Sequence, residues 1–167
     1  MRVLGIDPGT AITGYAVVEE TGSALQLITI GVVRTPAKTP LPQRLQQIYA
    51  GVREVVVSYQ PERAAVEELF FSRNARTAMA VGHARGVTLL ALVDAGLPIA
   101  EYTPMQIKQA VTGYGNADKH QVQEMVRMLL QLDAAPRPDD AADAAAVAIC
   151  HLHRMKMEGL LNAQESR

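Results

Sequence analysis

What most constrains this chain is a change of hydrophobic period near residue 40. Before it, apolar residues come in short runs broken by turn formers. Val3–Ile6 stops at Asp7-Pro8-Gly9-Thr10, Thr13–Glu19 stops at Glu20-Thr21-Gly22-Ser23, and Leu25–Arg34 follows. Such runs read as strands, and three strands joined by short turns form an antiparallel meander. After the change, Leu41, Leu45, Ile48, Tyr49, Val52, Val55, Val56 and Tyr59 recur at helical spacing up to Pro61. That pattern predicts an amphipathic helix.

Strands and helices then alternate. Arg63–Glu67 is a short strand, a helix runs from around Asn74 to Ala95 and ends at Gly96, and Leu97–Tyr102 is a fifth strand. Thr103-Pro104-Met105-Gln106 carries a capping box with Pro at the first helical position, and Asp118 with Gln121 makes a second box. Asp139 starts an alanine-rich helix that passes Ile149. From Gly159 the chain reads as a frayed tail. The order βββαβαβα(α)α predicts an α/β fold, one five-stranded mixed sheet with helices on both faces. It forms a single domain over residues 1–158, with 159–167 as the tail.

Composition narrows the class. With 167 residues, 49% of them apolar and 20% charged, the chain is long enough to bury a core and is not of disordered type. Sixteen Lys and Arg against seventeen Asp and Glu give a net charge of −1, so any binding to nucleic acid must use a local patch. The single cysteine, Cys150, excludes an intrachain disulfide and a cysteine-cluster metal site, and points to a reducing cytoplasm. No apolar run has the length of a membrane span, and the N-terminus does not resemble a signal peptide.

Chemistry must come from acidic residues. Asp7 ends the first strand before a Pro-Gly turn, where Asp is also a common turn former. Glu67 and Glu68 end the fourth strand, and strand alternation sends them to opposite faces. Asp139 and Asp140 are well explained as helix N-terminal residues. Asp143 lies deeper, in a stretch of alanines built for close packing, and shares a helix face with Asp140. Two carboxylates 4 Å apart repel by about 1 kcal/mol in water and about 4 kcal/mol at an effective dielectric of about 20. If Asp7, Glu67, Asp140 and Asp143 meet, a hard divalent cation is the expected partner.

Other residue types offer less. His83, His120, His151 and His153 lack a two-His ligand spacing, and His151 and His153 read as surface residues. Gly113-Tyr114-Gly115 follows a helix rather than a strand, which weakens any likeness to a phosphate loop. Phe70 and Phe71 are the only phenylalanines and are adjacent, so one is core and the other is available to stack on or wedge between bases, unless the loop folds both under. Arg73, Arg76, Lys108, Lys119 and His120 are candidates for a local basic rim, against the plainer explanation of scattered surface charge.

These residues resemble the RuvC family of Holliday-junction resolvases. The resemblance is carried by Gly5-Ile6-Asp7-Pro8-Gly9-Thr10 with Thr13-Gly14-Tyr15, Arg44-Leu45, Ile48-Tyr49-Ala50-Gly51-Val52, and Ala65-Val66-Glu67-Glu68-Leu69-Phe70 with Asn74-Ala75. It continues through Gly82-His83-Ala84-Arg85-Gly86-Val87, Gln106-Ile107-Lys108-Gln109 and Asp140-Ala141-Ala142-Asp143-Ala144, from near Met1 to about His151. It implies a ribonuclease-H-like fold and a homodimeric, Mg²⁺-dependent endonuclease, with Mn²⁺ able to substitute. Such an enzyme nicks four-way junctions symmetrically, leaving 5′-phosphate and 3′-hydroxyl ends, in recombination and repair. The family's catalytic and metal-binding carboxylates fall on Asp7, Glu67, Asp140 and Asp143. Its wedging aromatic falls on Phe70 and its DNA-contacting lysines on Lys108 and Lys119. Glu68 rivals Glu67, and Asp139 rivals Asp140. Two cations per site would assist hydrolysis, one activating water and the other stabilising the 3′ leaving oxygen. The branch-migration proteins RuvA and RuvB are the implied partners. Two alternatives remain: a phosphotransferase of the sugar-kinase and actin-like superfamily, which normally needs two such domains, and a junction-binding subunit without catalysis.

Overall fold

The computed structural model describes residues 1–68 and 75–165, and side chains within 1–68 and 78–162. Phe70, Phe71 and Arg73 lie outside the described residues, as does the side chain of Arg76. The strands are β1 (Arg2–Asp7), β2 (Ile12–Thr21), β3 (Ala24–Arg34), β4 (Arg63–Glu67) and β5 (Ile99–Tyr102). The helices are α1 (Leu41–Tyr59), α2 (Ala75–Asp94), α3 (Pro104–Thr112), α4 (Lys119–Leu129) and α5 (Asp139–Glu165). One sheet of order β3-β2-β1-β4-β5 holds all five strands. The meander pairs antiparallel, whereas β1–β4 and β4–β5 pair parallel, giving the mixed sheet that the element order predicts.

Strand alternation divides the core into two layers. Leu4, Ile6, Val17, Ala64 and Val66 face Ile48, Val52 and Val55 of α1 and Ala84, Ala91 and Leu92 of α2. Val3, Ala16, Val18 and Ala65 face α5, with Ile107 and Val111 of α3 and Val122 and Val126 of α4 packed beside it. Both capping boxes form: Thr103 caps α3 with Gln106, and Asp118 caps α4 with Gln121.

The alanines of α5 let it lie very close to the sheet. Ala141, Ala142, Ala144, Ala145, Ala146 and Ala148 are all buried. A Cβ at Gly5 would overlap the carbonyl oxygen of Ala144, and one at Gly14 would overlap that of Asp140. The helix therefore rests on β1 and β2 backbone to backbone.

One expectation needs correction. His151 is buried, because α5 continues across the sheet at this point; its Nδ1 hydrogen-bonds the Tyr102 hydroxyl at 2.8 Å. The helix passes through Gly159 and runs to Glu165, with residues 159–162 exposed. A helical glycine costs about 1 kcal/mol relative to alanine, too little to stop a helix flanked by good helix formers.

Candidate active site

Asp7 and Glu67 are the last residues of two neighbouring parallel strands, β1 and β4. Residues 3, 5 and 7 of β1 and 65 and 67 of β4 share the face covered by α5. The side chains of Asp7 and Glu67 hydrogen-bond one another. Asp7 also stands opposite Gly14, over which the first turn of α5 is seated. That seating brings Asp140 and Asp143 within electrostatic reach of Asp7.

The turn after Asp7 is tied down by hydroxyls. Thr13 Oγ1 donates to the Gly9 carbonyl at 2.7 Å, and Thr10 Oγ1 donates to the Ala80 carbonyl of α2 at 2.5 Å. Thr35 Oγ1 donates to the Thr10 carbonyl at 2.5 Å and accepts from Arg44 Nε at 2.8 Å. Sequence reading placed Arg44 and Thr10 in family motifs but saw no contact between their segments.

The rival acids separate by their partners. Asp139 accepts from Gln123 Nε2 at 3.1 Å and Arg137 Nη1 at 2.9 Å, and lies 3.3 Å from Lys119 Nζ. These groups hold its carboxyl below the usual range, with Lys119 the main cause. Asp140 instead acts on Asp7 and Asp143, raising both. Glu67, not Glu68, is the hydrogen-bond partner of Asp7. Glu68 faces a neighbouring cavity.

Lys108 on α3 and Lys119 at the start of α4 flank the acids. With Glu67, Pro104 and Asp143 they line a cavity of about 230 Å³, and Lys119 Nζ reaches Asp143 at 3.1 Å. A second cavity of about 240 Å³, lined by Asp7, Pro8, Glu67, Glu68, Val81, Arg85 and Pro104, lies on the α2 side. A larger groove of about 690 Å³, between α3 and the far half of α5, holds none of the candidate residues.

The electrostatics show what the cluster lacks. Burial, then the charges of Glu67, Asp143 and Asp140, push Asp7 up to about 8. Glu67 is also raised, by burial and then Asp143, against the opposing Asp7 hydrogen bond and the two lysines. Asp143 is raised by burial although Lys119 opposes it. Burial lowers Lys119, but Asp143 and Asp139 outweigh this and raise it overall. Among the described residues, no three acidic, histidine or cysteine side chains already enclose a point as a formed metal cage does. The four carboxylates are gathered rather than closed. Oxygen-only donors, half-buried and crowded together, are nonetheless the set a hard divalent cation takes, so the residues fit the metal that the family resemblance implies.

Comparison with known proteins gives a concordant result. The family model "Crossover junction endodeoxyribonuclease RuvC" matches residues 3–151. A protein of that name from Chloroflexus aggregans is 59% identical over 153 residues, covering 92% of this chain and 93% of the relative. One from Syntrophomonas wolfei is 50% identical over 167 residues, covering 100% and 97%. Among solved structures, Thermus thermophilus RuvC in complex with a Holliday junction substrate superposes with a TM-score of 0.90 at 43% identity, covering 95% of this chain and 96% of that one. The yeast mitochondrial resolvase Ydc2, at 14% identity and a TM-score of 0.64, shares the fold.

Proposed function

The chain belongs to the RuvC family of crossover junction endodeoxyribonucleases, and we propose that Asp7, Glu67, Asp140 and Asp143 carry its hydrolytic chemistry. It is a metal-dependent nuclease of ribonuclease-H-like fold that resolves four-way DNA junctions. The observation that carries the site assignment is the burial of Asp7 against Glu67 with Asp140 and Asp143 close by.

The four carboxylates would hold Mg²⁺, two ions per site, with Mn²⁺ able to replace it; bound there, the metal supplies Lewis-acid activation of water and of the phosphodiester. Asp7 and Glu67, on adjoining strand ends, would hold the metal beside the attacked phosphate. Lys108 and Lys119 neutralise phosphate along the strand's path. Phe70 would wedge the junction, and Arg73 and Arg76 are further DNA-binding candidates. The products carry 5′-phosphate and 3′-hydroxyl ends.

A two-fold junction calls for a two-fold enzyme, so the active form is a homodimer. Support comes from the outer face of α2, where Met79, Leu90 and Val93 are exposed and a Cβ at Gly86 would meet only open space. RuvA and RuvB are the partners that membership of the family implies, and the compartment is the cytoplasm. No helix of the described residues is long and apolar enough to cross a membrane. One domain over residues 1–158 is supported by two core layers sharing one sheet.

The test is incubation with a synthetic four-way junction and a linear duplex, with and without Mg²⁺. Paired, ligatable nicks at symmetric positions are expected in the junction alone, and only with Mg²⁺. Equal cutting of the duplex, or cutting in EDTA, contradicts the reading. In the same assay Asp143→Asn should lose most cutting, roughly 10²–10³-fold, yet keep junction binding. Asp139→Asn should retain most activity, because its carboxyl is committed to Gln123, Arg137 and Lys119.

A further inference from the structure

We propose that Arg85 seats a backbone phosphate of the cleaved strand on the α2 side of the carboxylates, an inference that rests on the nuclease reading above. Arg85 and Val81 stand one turn apart on α2 and line the second cavity together with Asp7, Glu67 and Glu68. Among the described residues that line it, Arg85 is the only cation. The opposite cavity contains Lys108 and Lys119, and the two cavities share Glu67 and Pro104. Positive charge therefore flanks the carboxylates on both sides. Only one of those sides is held by lysines.

The guanidinium is held in place by the fold. Its Nη2 ion-pairs with Glu101, which lies on β5 opposite Val66, beside the Glu67 position. Its Nε is buried and has no hydrogen-bond partner among the described residues. The side chain is only 23% exposed. Below it, Thr10 fastens α2 to the turn that follows Asp7, so helix, turn and strand ends keep a common frame.

A fixed cation makes the α2 side of this cavity suitable for an anion. A guanidinium presents five donors in a rigid fork, and a carboxylate on one edge leaves others for phosphate oxygens. The anion at hand is the phosphodiester of the strand lying over Asp7 and Glu67. Glu101 acts as a positioning residue, fixing the guanidinium plane before DNA arrives.

The experiment uses the full chain and a synthetic four-way junction. Junction affinity is measured against salt without divalent cation, and cutting is measured at saturating junction in Mg²⁺. Each phosphate contact contributes about 0.9 to the slope of log K against log salt, so Arg85→Ala should lower that slope by about one. Arg85→Lys should keep the slope but cut more slowly, since a point charge does not fix phosphate geometry. Guanidinium chloride at low concentration should partly restore cutting by Arg85→Ala and leave Arg85→Lys unchanged. Arg85→Gln, which can still hydrogen-bond Glu101, provides the same slope measurement should Arg85→Ala fail to fold. An unchanged slope in Arg85→Ala or Arg85→Gln overturns the proposal, as does a cutting loss that only follows a lowered melting temperature. Wild-type protein that binds the junction but never cuts it would refute the nuclease reading, while the slope still decides the role of Arg85.

Discussion

Asp7→Asn should abolish metal-dependent cutting, leave junction binding in place, and raise the melting temperature of metal-free protein at pH 8. The first effect follows from position: Asp7 is the carboxylate on which the other three converge. Metal-assisted stabilisation of several kcal/mol corresponds to a rate loss of roughly 10³-fold or more. The third effect follows from proton linkage. Folded Asp7 titrates near 8, whereas the ordinary value is 3.8. Between these pH values the folded protein holds a proton that the unfolded chain releases. Stability therefore falls as pH rises from about 4 to about 8, and the loss is complete above that window. Asparagine cannot ionise, so the variant lacks this slope, and its advantage over wild type should widen across the same window. Divalent cation should restore wild-type stability at pH 8 and do little for the variant. A variant that cuts near the wild-type rate in saturating Mg²⁺ would falsify the assignment; parallel melting curves from pH 5 to 8 would remove its electrostatic basis.

Much of this site was legible in the sequence because its acids sit at places with local signatures. Asp7 and Glu67 end apolar runs, and Asp140 and Asp143 open an alanine-rich helix. Periodicity could also assign Glu67 and Glu68 to opposite faces, but not say which face α5 covers. That depends on the register between β1 and β4, a long-range property. The Arg85–Glu101 pair was invisible for a similar reason: it joins a helix to an edge strand, and although Arg85 lies in a family motif, nothing local marks Glu101 as its partner. His151 reads as a surface residue from its place near the C-terminus, because periodicity does not show how far α5 extends across the sheet, and the helix still covers Tyr102 there. The role of Gly14 was hidden most completely. A glycine in a strand marks close approach of some backbone without saying which one.

That contact supports the last prediction. Gly14→Ala should reduce junction cutting by about 10²-fold or more, and by more than its loss of stability accounts for. The added Cβ would fall on the Asp140 carbonyl, with the Ala141 amide nitrogen also close. These are backbone atoms, so no side chain can turn aside to make room. The first turn of α5 must lift, carrying Asp140 and Asp143 away from Asp7 and Glu67. A displacement of about 1 Å at a reacting centre can cost about 10²-fold in rate, while forcing one methyl into a packed site costs about 1–3 kcal/mol. Ile48→Val is the suitable comparison, because Ile48 is fully buried in the layer on the other side of the sheet. It should destabilise by about 1 kcal/mol without moving α5. Well below both melting temperatures, Ile48→Val should cut at close to the wild-type rate and Gly14→Ala should not. Cation-linked stabilisation should likewise survive in Ile48→Val and shrink in Gly14→Ala, since the acids can no longer close together. Equal cutting by the two variants would mean that the seat of α5 on β2 does not position the carboxylates.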